Sequence, residues 1–131
     1  MSDLHPNVRV YLPALDAFNR DDISAIGTSV HSDLVYRIPG RSRIAGEFRG
    51  ISGFVEAMTR LRDESGGTIE LTPSVVLADD RNVIARASVA AKRRGKELAT
   101  ENCYAFRFVD GKVVEGQVFL SDPDHVEDFW A

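Results

Sequence analysis

The sequence predicts an α+β fold, three N-terminal-side helices packed on one face of a curved, mainly antiparallel sheet. Three observations carry it: apolar residues recur at helical spacing only in the first half, the second half alternates apolar and polar residues in long runs, and short turn signals join those runs. A chain of 131 residues suits one domain that buries roughly two thirds of its unfolded surface. With no internal repeat, low-complexity tract or interdomain linker, residues 1–131 read as that one domain.

From Pro6 to Phe18, the residues Val8, Leu12, Leu15 and Phe18 recur at three- and four-residue spacing with Tyr11 on the same stripe, and Pro6 suits the first helical position. Asn19-Arg20-Asp21-Asp22 breaks the pattern, and Ile23, Ile26 and Val30 predict a second short helix capped by Asp21 or Asp22. Leu34, Tyr36 and Ile38 alternate with Val35 and Arg37 as in a strand, which Pro39-Gly40 ends. A Gly- and Arg-rich loop is expected through Gly50. Then Ile51, Phe54, Val55, Met58 and Leu61 predict a third helix, with Ser52 as its cap and Gly66-Gly67 as its stop. Four strands follow, Thr68 to Ala78, Val83 to Lys92, Leu98 to Val109 and Lys112 to Leu120, joined by turns at Asp79 to Asn82, Gly95 and Asp110-Gly111. The acidic tail ends in Phe129-Trp130, which is expected to pack back onto the body.

Hydrophobic residues at 44% and charged residues at 27% describe a globular chain, not a disordered one. Lys plus Arg total 16 against 20 Asp plus Glu, a net charge of -4, which argues against nucleic-acid binding. The one basic run, Lys92, Arg93, Arg94 and Lys96, reads as a solvated hairpin tip. Cys103 is alone, which excludes an intrachain disulfide, a Cys-based zinc site and a CxxC motif; its place in a strand predicts a small buried hydrophobe. The N-terminus has neither the basic nor the apolar region of a secretory leader, and no apolar run approaches the ~20 residues of a membrane span. No membrane partner is expected, and a reducing cytoplasm is the default location. His5, His31 and His125 lack metal-site spacing. Asp122, Asp124, His125, Glu127 and Asp128 read as a solvated helix face, so no metal and no cofactor are expected.

Five strings are more specific: Tyr36-Arg37-Ile38-Pro39-Gly40, Ile44-Ala45-Gly46-Glu47-Phe48-Arg49-Gly50, Ser65-Gly66-Gly67-Thr68, Phe106-Arg107-Phe108-Val109-Asp110-Gly111-Lys112-Val113 and Asp128-Phe129-Trp130. In order and spacing they resemble the SnoaL-like, ketosteroid-isomerase-like branch of the nuclear-transport-factor-2-like superfamily. The resemblance implies a cone-shaped half-barrel with a conical, mostly apolar cavity between the first and third helices and one face of the sheet. Period-two alternation around Gly95 and Gly111 then puts Ala85, Ala87 and Val89 on the cavity face of one strand and Asn102, Tyr104 and Phe106 on the next. Gly116, Val118 and Leu120 follow on the last strand, with Asp122 in phase at its end. Phe18, Phe54 and Met58 are the expected helix contributions, as core or as ligand contacts.

The better-known catalytic sets of the family are not matched. Tyr11 aligns with the oxyanion-hole tyrosine of ketosteroid isomerase, but Arg37 stands where its base would be and Tyr104 where its protonated acid would be. The Asp-Arg-Asp set of limonene epoxide hydrolase corresponds to Ala85, Ala87 and Val118. Resemblance to polyketide cyclases leaves Asp122 as the candidate general base, with a helix cap as its alternative role, since Asp122-Pro123 suits N-cap and N1. Arg37 reads as a cation selecting an anionic ligand, with Tyr11, Asn102 and Tyr104 as hydrogen-bond partners, or equally as an Arg buried along its stem and paired with an internal acid such as Glu101 or Glu115. Tyr11 and Tyr104 read equally as core aromatics. Two functions follow: a cofactor-free isomerase, cyclase or hydrolase acting on a small hydrophobic carbonyl or acid through Asp122, Tyr11, Arg37 and Tyr104, or a binding module for a small hydrophobic anion. A homodimer is expected through the outer sheet face, at Ile84, Ser88, Ala90 and Cys103.

Overall fold

The computed structural model describes residues 4–131. Helix α1 (Pro6–Asn19) starts at Pro6, whose missing N–H costs nothing there, and the His5 ring accepts the Asn7 N–H at 3.1 Å. Helix α2 (Ile23–Ile26) is a single turn followed by a 3-10 turn at Gly27–Ser29. Helix α2 is shorter than expected, because Val30, placed in that helix by spacing, opens strand β1 (Val30–Ile38) and is 2% exposed inside the sheet packing. Asp22 holds the N-cap position of α2 but caps no backbone N–H; its carboxylate accepts from Ser24 Oγ at 3.2 Å.

Within the expected loop lies strand β2 (Gly46–Arg49), which pairs antiparallel with β1 and sets Tyr36 opposite Phe48. It is too short for a period-two pattern to show, and only Phe48 is buried. Helix α3 (Gly50–Glu64) springs directly from it: extended Arg49 is the N-cap residue, no side chain caps the helix, and Ser52 is exposed in the first turn instead of capping it. The remaining elements are β3 (Glu70–Ala78), β4 (Asn82–Arg93), β5 (Lys96–Val109), β6 (Lys112–Leu120) and α4 (Pro123–Trp130).

The six strands form one sheet in the order β2-β1-β6-β5-β4-β3, with β1 and β6 parallel and every other pair antiparallel. The β4–β5 hairpin turns at Arg94-Gly95 (φ 49° and 78°) and the β5–β6 hairpin at Asp110-Gly111 (φ 51° and 77°). Two consecutive left-handed residues are what a two-residue turn needs to follow the strand twist. Helix α3 packs over β1 and β2, α1 over β3 and β4, and α4 over β5. The fold is thus the α+β cone, with its core between these helices and one face of the sheet. Among the described residues, no helix is long and apolar enough to cross a membrane.

Along β4 burial alternates strictly. Val83, Ala85, Ala87, Val89, Ala91 and Arg93 face in, and Ile84, Arg86, Ser88 and Ala90 face out. Three of the inner side chains are single methyls, so the sheet does not fill the space beneath the helices. The same phase corrects two expectations. Cys103, between inward Asn102 and Tyr104, is exposed rather than buried. Arg93 is no part of a solvated tip: it is buried, donates to the Ala131 and Phe129 carbonyls at 2.6 and 3.3 Å, and faces Glu64 at 3.4 Å. Lys96 donates to the Asp128 carbonyl at 2.7 Å, so two cations complement the C-terminal end of α4. Nor is the acidic tail wholly solvated, because Glu127 accepts the Arg41 and Ser42 N–H groups at 2.5 and 3.1 Å. Phe129 and Trp130 do pack back, 1% and 2% exposed.

Candidate functional site

The unfilled space is an apolar cavity in which about 120 Å³ is reachable by the centre of a water-sized molecule. Tyr11 and Phe18 of α1, Phe54 and Met58 of α3, Val89 of β4, Asn102, Tyr104 and Phe106 of β5, and Val118 and Leu120 of β6 all line it. That is the set alternation and family likeness bring together, except that Ala85, Ala87 and Gly116 do not line it. Ala87 is 0% exposed in the surrounding core and does not reach the lining, its side chain ending at one methyl. Val126 and Trp130 of α4 contribute to the wall as well.

Arg37 and Asp122 do not join the cavity. Arg37 lies between inward Tyr36 and Ile38 and therefore points out, where it donates to Glu47 at 3.1 Å and faces Glu115 at 3.7 Å. Glu115 is one of its two expected partners; the other, Glu101, pairs with Arg86. Asp122 is exposed and caps α4, its carboxylate accepting the His125 N–H at 3.2 Å ahead of Pro123. The cavity consequently holds neither the fixed cation expected from Arg37 nor the carboxylate expected from Asp122.

What remains is neutral. The polar side chains of the lining are Ser29, Asn102 and three tyrosines, Tyr11, Tyr36 and Tyr104. Tyr36 is absent from the sequence-based set, although its phase with Leu34 and Ile38 is a sufficient signal. Phe106 is the hub of the aromatic wall. Its ring lies 6.4 Å from those of Tyr36 and Tyr104, nearly parallel at 9° and 4°, and 5.4 Å from that of Tyr11 at 41°. Phe54 meets Tyr36 edge-on at 5.2 Å. Gly116 makes this possible, since a Cβ there would lie 2.5 Å from Tyr36 Cδ1.

Burial raises all three phenols. Tyr104 is pushed up to about 12, only partly restrained by the Asn102 amide that donates to its oxygen at 3.4 Å. Tyr11 is raised by burial and then by Tyr104, and Tyr36 by burial and then by both other phenols. All three are O–H groups at neutral pH, so they donate hydrogen bonds and do not act as bases. Asn102 Oδ1 is buried without a partner among the described residues. None of those residues brings an Asp, Glu, His, Lys or Arg to the wall, so the cavity can hold and polarise an uncharged oxygen group in an apolar setting.

Residues 13–116 match the family model described as SnoaL-like domain. An uncharacterised protein of Mycobacterium tuberculosis is 30% identical over 116 residues, 88% of each chain. Among solved structures, Bal32a from a soil-derived mobile gene cassette is 30% identical with a TM-score of 0.92, over 96% of this chain and 97% of that one. An M. tuberculosis LEH-like epoxide hydrolase shares the fold at 17% identity and a TM-score of 0.75, over 95% of this chain and 89% of its own.

Proposed function

This chain belongs to the SnoaL-like domain family, and we propose that its cavity binds a small, uncharged, largely apolar molecule carrying an oxygen group. The observation that supports this most is the composition of the wall, where neutral donors and acceptors stand among apolar side chains and the charged groups of the described residues lie elsewhere. An unpaired carboxylate in such a site would lose its hydration with no countercharge to replace it, and ions are excluded on that ground. A cation at Arg37 is the reason to expect an anionic ligand, and its outward position removes that reason.

The test is a matched pair such as cyclohexyl methyl ketone and cyclohexanecarboxylate, titrated at pH 7 by calorimetry and followed by melting temperature. The ketone is expected to bind and stabilise the protein, and the carboxylate to bind at least tenfold more weakly. Equal binding of the two would overturn the reading. Val118→Phe, which fills the cavity from β6, should abolish binding of the ketone.

The three phenols on one wall favour a second reading, an isomerase or cyclase of the kind found in this superfamily. There the tyrosine O–H groups would hydrogen-bond an oxyanion developing on a carbonyl substrate, and the proton acceptor would be a group of the substrate, since no lining carboxylate supplies one. Under this reading Tyr104→Phe lowers turnover more than it lowers affinity, whereas Asp122→Asn leaves both unchanged.

A further inference from the structure

Asn102 stands on the cavity wall with its hydrogen bonding half complete. Its residue is 7% exposed, its Nδ2 donates to Tyr104 Oη at 3.4 Å, and its Oδ1 is buried without a partner among the described residues. A buried amide oxygen left unpaired is costly, and most of the side chains around the cavity on which Asn102 stands are hydrocarbon. Next to it, Tyr104 Oη accepts from Asn102 and keeps its own hydrogen free to donate. Burial holds that hydroxyl protonated at neutral pH. An acceptor and a donor therefore stand side by side on β5, two residues apart on one face.

Resting on the proposed binding of an uncharged apolar molecule, we infer that the oxygen group of the ligand is a hydroxyl, an alcohol or phenol that donates to Asn102 Oδ1 and accepts from Tyr104 Oη. A hydroxyl oxygen is donor and acceptor at one atom, which is the complement of this pair. A ketone or an ether satisfies Tyr104 and leaves Asn102 Oδ1 unpaired. The nearly parallel rings of Tyr36, Phe106 and Tyr104 offer a flat wall beside the pair, so a hydroxyl carried on a planar ring fits best.

The experiment uses three probes of one skeleton, 5-indanol, 5-methoxyindane and indane, with dissociation constants measured for the parent protein and for Asn102→Leu, a substitution of similar shape. In the parent protein, 5-indanol is expected to bind at least tenfold more tightly than 5-methoxyindane. In Asn102→Leu that ratio should fall to about threefold or less, with the affinity for indane unchanged. Retained indane binding shows that the variant is folded and its cavity open; Asn102→Ala, which likewise removes the acceptor and is read by the same ratio, is the second variant should Asn102→Leu lose it. Equal binding of phenol and ether to the parent protein overturns the hydroxyl inference and leaves the cavity reading standing. A phenol that keeps its full advantage in both Asn102 variants overturns the hydroxyl inference in the same way. Failure of all three probes to bind the parent protein overturns the cavity reading, and the inference with it.

Discussion

Gly116→Ala adds one methyl against the aromatic wall, beside the Tyr36 and Phe106 rings, and its cost can be worked from the structure. Gly116 stands on β6 between Tyr36 of β1 and Phe106 of β5, its register partners on either side. The new Cβ would lie 2.5 Å from Tyr36 Cδ1, 2.9 Å from Tyr36 Cε1 and 3.3 Å from Phe106 Cδ1. Carbon atoms rest at about 3.5–4.0 Å, so the Tyr36 ring has to move by roughly 1 Å. It cannot retreat freely, because Phe54 meets it edge-on at 5.2 Å. Overpacking of this kind costs about 1–3 kcal/mol, and the loss of glycine's freedom in the unfolded chain returns up to about 1 kcal/mol. The net destabilisation is about 1–2 kcal/mol, which for a domain of this length lowers the melting temperature by roughly 4–8 °C. Calorimetry measures it, and near-UV circular dichroism reports the displaced tyrosine. In a Tyr36→Leu background the same substitution should cost less than half as much, since the clashing ring is gone. A melting temperature equal to or above the parent's, or a penalty undiminished without the Tyr36 ring, would refute the reasoning.

Asp122→Ala removes the cap of α4 and should cost about 1 kcal/mol, seen as a lower melting temperature with no change in ligand affinity; a loss of turnover on an identified substrate would restore Asp122 as a base. Arg93→Met strips the buried guanidinium from the Phe129 and Ala131 carbonyls and from Glu64, with an expected cost of about 2–4 kcal/mol. Because α4 contributes Val126 and Trp130 to the cavity, ligand affinity should fall as well, and a variant that kept both stability and affinity would count against α4 as a wall. Glu47 is held below its ordinary 4.5 by Arg49 first and then Arg37, and Asp79 below 3.8 by the Arg81 N–H first. A depressed folded pKa contributes stability that is complete above the unfolded value and lost as pH falls through the folded one. Melting temperature should therefore fall below about pH 4.5, less steeply in Glu47→Gln, and an NMR midpoint for Glu47 above 4.5 would contradict this. For the outer sheet face, where Phe119 is 53% and Ile84 43% exposed, we propose a homodimer that Phe119→Lys converts to monomer in sedimentation; a parent chain that sediments as a monomer at micromolar concentration disproves it.

Long periodic elements were legible from residue spacing alone, because helical spacing over Pro6–Asn19 and alternation over Asn82–Arg93 each repeat often enough to determine a face. Short elements were not: β2 has four residues and α2 one turn, and their existence depends on partners distant in sequence. Ten of the thirteen site residues named from the sequence line the cavity, and the reason is again phase, since inward residues of neighbouring strands come as a set. Arg37, read either as a cavity cation or as paired with an internal acid, meets one of the named acids, Glu115, but on the outer face. Its neighbours Tyr36 and Ile38 already claimed the inner face, and a charged residue between two apolar ones in a strand reads outward on the same rule. Asp122 was in phase with Leu120, but Pro123 begins a helix immediately after it, and a helix N-terminus turns the carboxylate to its own N–H groups. The buried Arg93 was hidden in a cationic run, where only the inward phase of β4 distinguishes it from Lys92 and Arg94.

The register of β1 decides which charge the cavity offers. A shift of one residue would carry Arg37 inward and Tyr36 outward, turning a neutral pocket into one for anions. Several contacts oppose that shift together: the pairing of Tyr36 with Phe48 on one side and with Gly116 on the other, the Tyr36 ring seated over a residue without a side chain, and the Phe54 edge against it. Outside, the same register lines up Arg49, Glu47, Arg37, Glu115 and Arg107 as successive opposite charges at 2.5, 3.1, 3.7 and 3.4 Å. Each exposed pair contributes little to stability on its own. Moving any member inward would leave its neighbours unpaired and bury a charge, so the row biases the register even where it adds little to the folding free energy. The polar groups left at the cavity are those that can be buried without a charge, three phenols, one amide and the Ser29 hydroxyl, and the chemistry open to the cavity follows from that sorting.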